Sequence, residues 1–146
     1  MSIALAHLIW MWSGIVAAAL SCLYGFWRGG TTERLGAAII ATAWTLSLLM
    51  TSHAGHGPGT AIMVIDCATA IAFAALSLWS RKIWTLVATA CMFNDVLTHL
   101  LASATKMSIF DYVTATGLWS GWGPIIALAV GVWFYQRRRR AQAKQA

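Results

Sequence analysis

The chain has very little charge for its length, and acidic residues are the scarcest of all. Only 10% of its 146 residues are charged, whereas a soluble globular domain carries about 25%. Four acids stand against ten lysines and arginines, and hydrophobic residues make up 60% of the sequence. This composition excludes a soluble enzyme, a disordered tail and a disulfide-stapled secreted module. It predicts a polytopic membrane protein of one domain.

Several familiar sequence signals are also missing. The three cysteines are odd in number and lie inside apolar runs, so they do not form a disulfide framework. No zinc-protease, phosphate-loop or nucleophile-elbow motif occurs. The start lacks the basic segment and cleavage site of a signal peptide, so we expect the first apolar run to stay in the membrane. An enzyme acting on a bound substrate is therefore the least favoured class.

Five apolar runs are long enough to cross a bilayer, which takes about 20 mostly apolar residues as a helix. They predict an all-α fold, a polytopic membrane bundle of five transmembrane helices. The expected helices cover residues 3–27, 35–51, 61–79, 83–102 and 109–135. We expect one transmembrane domain over residues 1–136 and a basic cytoplasmic tail over residues 137–146. Pro124 removes a backbone donor and predicts a kink in the fifth helix.

The basic residues gather at one end of the predicted helices. With five spans, one side of the membrane receives nine of the ten lysines and arginines, and the other receives only Lys106. The positive-inside rule then predicts an N-terminus outside and a C-terminus in the cytoplasm. Because no feature of an organellar precursor is seen, we expect a bacterial inner membrane as the location. A run of four arginines predicts a patch for anionic lipid or a partner protein, with no role in nucleic-acid binding. This patch is Arg137, Arg138, Arg139 and Arg140.

Small residues predict where the helices pack, because they let backbones approach closely in lipid. The first helix carries a stripe of four at helical spacing, and the fifth carries a pair of glycines. These positions are Gly14, Ala18, Ser21 and Gly25 in the first helix, and Gly117 and Gly121 in the fifth. In a larger assembly, the first stripe is a candidate docking face for a partner subunit.

Three ionisable residues lie well inside the predicted spans, where each is costly to bury and is a candidate for function. Asp66 is in the third helix, while Asp95 and His99 are one turn apart in the fourth. A tight hairpin at residues 80–82 makes these helices antiparallel neighbours and brings the two acids to nearly the same depth. The sequence therefore predicts a buried polar cluster of Asp66, Asp95 and His99. The cytoplasmic half is expected to hold almost no buried ionisable group.

More histidines lie near the outer ends of the spans, and together with the cluster they form a set of possible metal ligands. This set is His7, His53, His56, His99, Asp66 and Asp95. Imidazole and carboxylate suit divalent transition metals. Paired carboxylates at low dielectric can instead share a proton, and an intramembrane histidine can be an axial ligand of a tetrapyrrole. The plainer alternative is that the buried groups bond one another and hold the helices together.

One part of the sequence resembles known proteins. The stretch from Asp66 through Arg81-Lys82-Ile83-Trp84 to Thr98-His99, with the basic C-terminal end, resembles small uncharacterised multi-span inner-membrane proteins of alphaproteobacteria. The resemblance covers about half of the chain. It implies neither an activity nor a set of site residues.

Three classes of function stay open. The leading prediction is a non-catalytic accessory subunit of a larger respiratory or photosynthetic membrane complex, because the loops are short and no catalytic motif occurs. The second is a small transporter or a metal- or proton-handling membrane protein that uses Asp66, Asp95 and His99. The third is a redox protein that binds haem or another tetrapyrrole through His7 or His99. The expected partners are the lipid bilayer and other membrane subunits, and the cofactor is open between none, a metal and haem.

Overall fold

The computed structural model describes residues 3–51, 60–105 and 107–145. Within these ranges the chain forms helices joined by short connectors, and it contains no strand. The helices are α1 (Ile3–Arg28), α2 (Thr31–Thr51), α3 (Thr60–Ser80), α4 (Ile83–Ala104), α5 (Ile109–Thr116) and α6 (Gly123–Ala143). A π-helical segment, Gly117–Trp122, joins α5 to α6, so five helical stretches are long and apolar enough to cross a membrane. The predicted all-α fold with five such helices is confirmed.

Two tight turns define one end of the bundle. One turn joins α1 to α2, and the other joins α3 to α4 through Arg81, whose φ of 52° is left-handed. A left-handed residue directly after a helix reverses the chain sharply. Lys82 of the second turn contacts Glu33 at the start of α2, so both turns lie at the same end. We call this end the basic end, and the end where α3 begins and α4 ends the opposite end.

Helix α6 holds much of the core, because it packs against α1, α2 and α4. Its Leu128 is fully buried, and its Gly131 faces the indole of Trp84. A Cβ on Gly131 would lie 2.6 Å from that ring, and a Cβ on Gly36 of α2 would lie 2.5 Å from it. The two glycines therefore make the space in which the tryptophan is held.

The small-residue stripe of α1 packs inside the chain. Gly14, Ala18 and Gly25 are buried and Ser21 is half-buried. A Cβ on Gly25 would lie 2.9 Å from the side chain of Ala37 of α2. The stripe thus serves the close helix packing predicted for it, and it is not open to a partner subunit. Its predicted role as a docking face is wrong, because α2 and α6 already cover it.

The fifth span is interrupted, as Pro124 predicts, but the irregularity lies before the proline. The π-helical segment ends two residues before Pro124, and such wider turns accommodate a break in the regular hydrogen-bond pattern. Gly117 in this segment lies against Trp10, and Gly121 is buried near Trp44. Beyond the proline, α6 continues to Ala143, so the four consecutive arginines are helical and point to different sides.

Candidate functional site

Asp66, Asp95 and His99 meet at the interface between α3 and α4. They are 6%, 0% and 6% exposed, respectively. His99 Nε2 lies 3.0 Å from Asp66 Oδ2 and 3.5 Å from Asp95 Oδ2. One oxygen or nitrogen atom from each residue lies within 4.8 Å of the other two. The structure therefore brings together the three residues that the sequence placed at one depth.

The local sequence explains why these side chains converge. Asp95 and His99 are four residues apart and share one face of α4. Asp66 lies six residues into α3, about 9 Å from its first residue at 1.5 Å per residue. The tight turn at the basic end fixes the register of α3 against α4. As a result, the cluster lies between about one and a half and two and a half helical turns inside the opposite end.

Tyr112 completes the cluster, and sequence reasoning missed it. Its hydroxyl lies 2.5 Å from His99 Nδ1, and the two rings meet edge-on with centroids 5.5 Å apart. Tyr112 stands in the first turn of α5, which follows α4 after a short connector. Helix α5 lies beside α4. The order of the helices along the chain was therefore the one signal from which a contact between Tyr112 and His99 could have been predicted. Both ring nitrogens of His99 therefore have a partner.

Asp95 is the least satisfied member of the cluster. Its side chain is fully buried, and no donor among the described residues makes a hydrogen bond to either of its carboxylate oxygens. The proton of His99 Nε2 is better placed for Asp66, which is 0.5 Å closer. A buried carboxylate without hydrogen bonds is strongly unfavourable. Asp95 can be satisfied by a proton of its own, by an imidazolium on His99 at 3.5 Å or by a bound cation.

The other predicted ligands are not part of this described cluster. His53 and His56 lie outside the described residues, and so does the side chain of His7 in α1. The site as described offers one imidazole and two carboxylates. A tetrapyrrole bound through His99 would need room for a large planar ligand at a ring nitrogen, and His99 is 6% exposed with Asp66 and Tyr112 against its two nitrogens. The geometry therefore does not favour His99 as a haem ligand.

A second buried charge, Glu33, lies at the basic end. Its side chain is 1% exposed and accepts hydrogen bonds from Lys82 Nζ at 2.8 Å, Trp84 Nε1 at 3.1 Å and the backbone N–H of Gly30 at 3.1 Å. The expectation that this half holds almost no buried ionisable group is therefore wrong. Glu33 is at the third position of α2, where a glutamate reaches back to cap the helix, and the α3–α4 turn then covers it.

Comparison with known proteins identifies no protein that is similar to this chain. No family model, no curated protein and no solved structure matches the chain. The resemblance to alphaproteobacterial inner-membrane proteins stays a prediction from the sequence. The functional conclusion therefore depends on the geometry of the site.

Proposed function

We propose that this protein is a multi-span membrane protein that binds and handles a divalent transition-metal ion within its helical bundle. The proposed ligands are Asp66, Asp95 and His99. The observation that carries the proposal is the fully buried Asp95 carboxylate, which has no hydrogen bond within the described part of the chain. A cation between α3 and α4 would satisfy it.

The spacing of the donor atoms supports a metal ion. A tetrahedral ion with ligands at about 2.0–2.1 Å holds its donor atoms about 3.3 Å apart. In the cluster, His99 Nε2 lies 3.0 Å and 3.5 Å from the two aspartate oxygens. Two of the three donor-atom separations therefore already match the spacing that an ion requires, and the two aspartate oxygens lie within 4.8 Å of each other. One imidazole nitrogen with two carboxylate oxygens is a donor set that Zn²⁺ and its neighbours accept.

Charge balance supports the same conclusion. When both are ionised, Asp66 and Asp95 bring two negative charges into a buried site, and uncompensated charge is very costly there. An imidazolium on His99 neutralises only one of them. A divalent ion neutralises both while His99 stays neutral and contributes its nitrogen. An ion of charge +2 therefore leaves the site with no net charge.

Tyr112 supports the assignment of His99 as a metal ligand through a hydrogen bond to the ring nitrogen that does not face the two aspartates. A histidine that binds a metal through one nitrogen usually has its second ring nitrogen held by a hydrogen bond, which fixes the ring orientation. The Tyr112 hydroxyl lies at His99 Nδ1, so Nε2 is the nitrogen that faces the two aspartates. The ring is already oriented for binding.

Equilibrium binding of Zn²⁺ or Co²⁺ to the purified protein in detergent tests the proposal. We expect about one ion per chain, and we expect Asp95→Asn to weaken binding by more than about 100-fold, since loss of a partner outside the ligand shell already costs about 10–100-fold. Asp111→Asn removes the same charge from an exposed position and is the matched control. Wild-type affinity in Asp95→Asn would overturn the proposal.

The same variant separates metal binding from a purely structural role. In metal-free protein, Asp95→Asn removes a buried and unbonded charge, so its free energy of unfolding should stay equal or rise. If the cluster only holds the helices together, Asp95→Asn should lower stability and leave metal binding undetectable in both proteins.

Proton handling is the second candidate, and one observation favours it. A continuous hydrogen-bonded chain joins Tyr112, His99 and Asp66. Such a chain can carry a proton across the bundle from α5 through α4 to α3. Proton flux into proteoliposomes, followed with a pH-sensitive dye in the presence of a chelator, tests this candidate. Flux that Asp66→Asn abolishes would favour proton handling, whereas no flux in the wild type would exclude it.

The proposed orientation places the N-terminus outside and the C-terminus in the cytoplasm of a bacterial inner membrane. The proposal is supported by the distribution of lysine and arginine, nine of which fall on the side of the basic end and one on the other side. Such an excess is typical of the cytoplasmic side of a membrane protein. Accessibility of single introduced cysteines to a membrane-impermeant thiol reagent tests it. Labelling of the C-terminal end in intact cells would contradict it.

The prediction of an accessory subunit in a larger complex stays a prediction. Its strongest structural support would have been an open small-residue face on α1, and that face is covered within the chain. Native gel electrophoresis after gentle extraction tests it directly. Migration alone or as a small homo-oligomer would contradict it.

A further inference from the structure

A polar cavity of about 420 Å³ lies between α1 and α6 at the basic end. Its lining combines three arginines with two aromatic rings and one amide. These residues are Tyr24, Arg28, Trp133, Gln136, Arg137 and Arg140. We propose that this cavity binds the phosphate group of an anionic membrane phospholipid.

The walls of the cavity are fixed by a contact between the two helices. The Gln136 side-chain amide donates a hydrogen bond to the backbone carbonyl of Arg28, at the last residue of α1. This bond ties the end of α1 to α6 and brings Arg28 beside the arginines of α6. The group of three arginines that lines the cavity is therefore formed by two packed helices and not by one basic helix alone.

The chain has no acidic side chain left to neutralise these arginines. Its four acidic side chains all lie elsewhere. Glu33 is paired with Lys82, Asp66 and Asp95 belong to the buried cluster, and Asp111 accepts a hydrogen bond from Ser108 at the opposite end. No acidic side chain of the protein therefore balances the charge of the cavity, which leaves it open to an external anion.

Two of the three arginines, Arg28 and Arg137, are oriented by aromatic rings. The Arg28 guanidinium lies 4.9 Å from the centre of the Trp27 ring, and that of Arg137 lies 5.4 Å from the centre of the Trp133 ring. Stacking of this kind uses the face of the guanidinium and leaves its N–H edge free. Arginine edges bind phosphate oxygens in pairs, with charge-assisted hydrogen bonds. The cavity therefore presents the donors that a phosphate requires.

The position of the cavity favours a lipid over a soluble anion. It lies where two membrane-spanning helices end, and tryptophan and tyrosine are enriched at this depth of a bilayer. One turn further into the spans, Leu20 lies below Tyr24 and Val130 below Trp133, and they are 62% and 42% exposed. A phospholipid whose phosphate is bound by the arginines would have its acyl chains along this apolar surface.

Native mass spectrometry of the detergent-solubilised protein tests the assignment with phosphatidylglycerol and phosphatidylcholine as probes. We expect tight, stoichiometric retention of phosphatidylglycerol and much weaker retention of phosphatidylcholine. Equal retention of the two lipids would overturn the proposal. This comparison uses the wild-type chain alone, so it does not depend on the folding of any variant.

A matched pair of double variants locates the site. Arg137→Gln with Arg140→Gln changes the cavity, while Arg138→Gln with Arg139→Gln removes the same charge from faces of α6 that do not line it. We expect the first pair to weaken phosphatidylglycerol binding at least tenfold more than the second. Equal loss of phosphatidylglycerol binding in the two double variants would show that the lipid is attracted to basic charge in general and does not bind at the cavity.

A soluble competitor distinguishes the source of the phosphate. Glycerophosphoglycerol has the same phosphodiester headgroup as phosphatidylglycerol without acyl chains, and we expect it to displace phosphatidylglycerol only at concentrations at least 100-fold higher. Displacement at equal concentrations would identify a free phosphate compound as the ligand and would overturn the lipid assignment.

Discussion

Removing the ammonium of Lys82 leaves the buried carboxylate of Glu33 without its positive partner. Loss of one member of a fully buried ion pair costs about 3–5 kcal/mol, whereas an exposed pair contributes about 0–1 kcal/mol. The Lys82 side chain is 35% exposed and the Glu33 side chain 1%. The carboxylate also keeps the N–H donors of Trp84 and Gly30. We therefore expect Lys82→Met to lower the free energy of unfolding by about 2–3 kcal/mol, between these two limits.

Substitution of the partner, Glu33→Gln, should lower the free energy of unfolding by less than Lys82→Met does. The effects of the two substitutions in one chain should not be additive. Glu33→Gln has the same shape and keeps an oxygen for the Trp84 indole, although its amide nitrogen replaces the oxygen that accepts from the Gly30 N–H. Lys82 can turn towards water. In the Lys82→Met background, Glu33→Gln removes the unpaired charge and should restore at least about 1 kcal/mol. Lys144→Met removes an ammonium from an exposed position and is the control, with an expected effect within about 0.5 kcal/mol.

Unfolding of the purified protein in mixed micelles, with increasing fractions of sodium dodecyl sulfate, measures these differences. Helix content by circular dichroism follows the transition. A Lys82→Met variant within about 0.5 kcal/mol of the wild type, or a double variant that shows simple additivity, would refute the reasoning, because neither outcome fits a buried charge that depends on Lys82.

Two further predictions concern the core and the cluster. Gly131→Ala should lower the free energy of unfolding by about 1–3 kcal/mol, because the new Cβ would lie 2.6 Å from the Trp84 ring. Gly121→Ala, whose Cβ would meet its nearest ring at 3.7 Å, should change it little in the same micelle assay, and equal effects would contradict the packing argument. Tyr112→Phe should weaken Zn²⁺ binding about 10–100-fold in a calorimetric titration, since the His99 ring loses its hydrogen bond. Unchanged affinity would show that Tyr112 does not position the ring.

The helices and the central cluster were predictable because the bilayer simplifies the physics. A span must satisfy its own backbone groups, so an apolar run of sufficient length becomes a helix. A tight turn then fixes the register of its two neighbours, which is why counting from residues 80–82 places Asp66 level with Asp95. His99 follows from helical spacing alone.

Other features depend on contacts between distant parts of the chain. Glu33 has the local pattern of an exposed cap in the first turn of a helix, and only the α3–α4 turn buries it. Trp84 stands near the end of a span, where tryptophan usually anchors at the interface. It is buried instead because two distant glycines, Gly36 and Gly131, leave room for its ring.

The unsatisfied state of Asp95 was likewise invisible in the sequence. Its spacing from His99 is typical of a helical pair that bonds internally. In the structure, the shorter contact of His99 is to Asp66, and Tyr112 occupies the other ring nitrogen. Competition among three partners for one imidazole is a tertiary property that spacing does not encode.

X-ray absorption spectroscopy of protein loaded with one Zn²⁺ per chain tests the central claim most directly. The account predicts nitrogen and oxygen ligands at about 2.0–2.1 Å, a single imidazole and no sulfur. The same spectrum should be lost in Asp95→Asn. A sulfur shell at about 2.3 Å would assign the metal to a cysteine, such as Cys91 one turn before Asp95, and would contradict the account. Absence of stoichiometric Zn²⁺ in the wild type would contradict it equally.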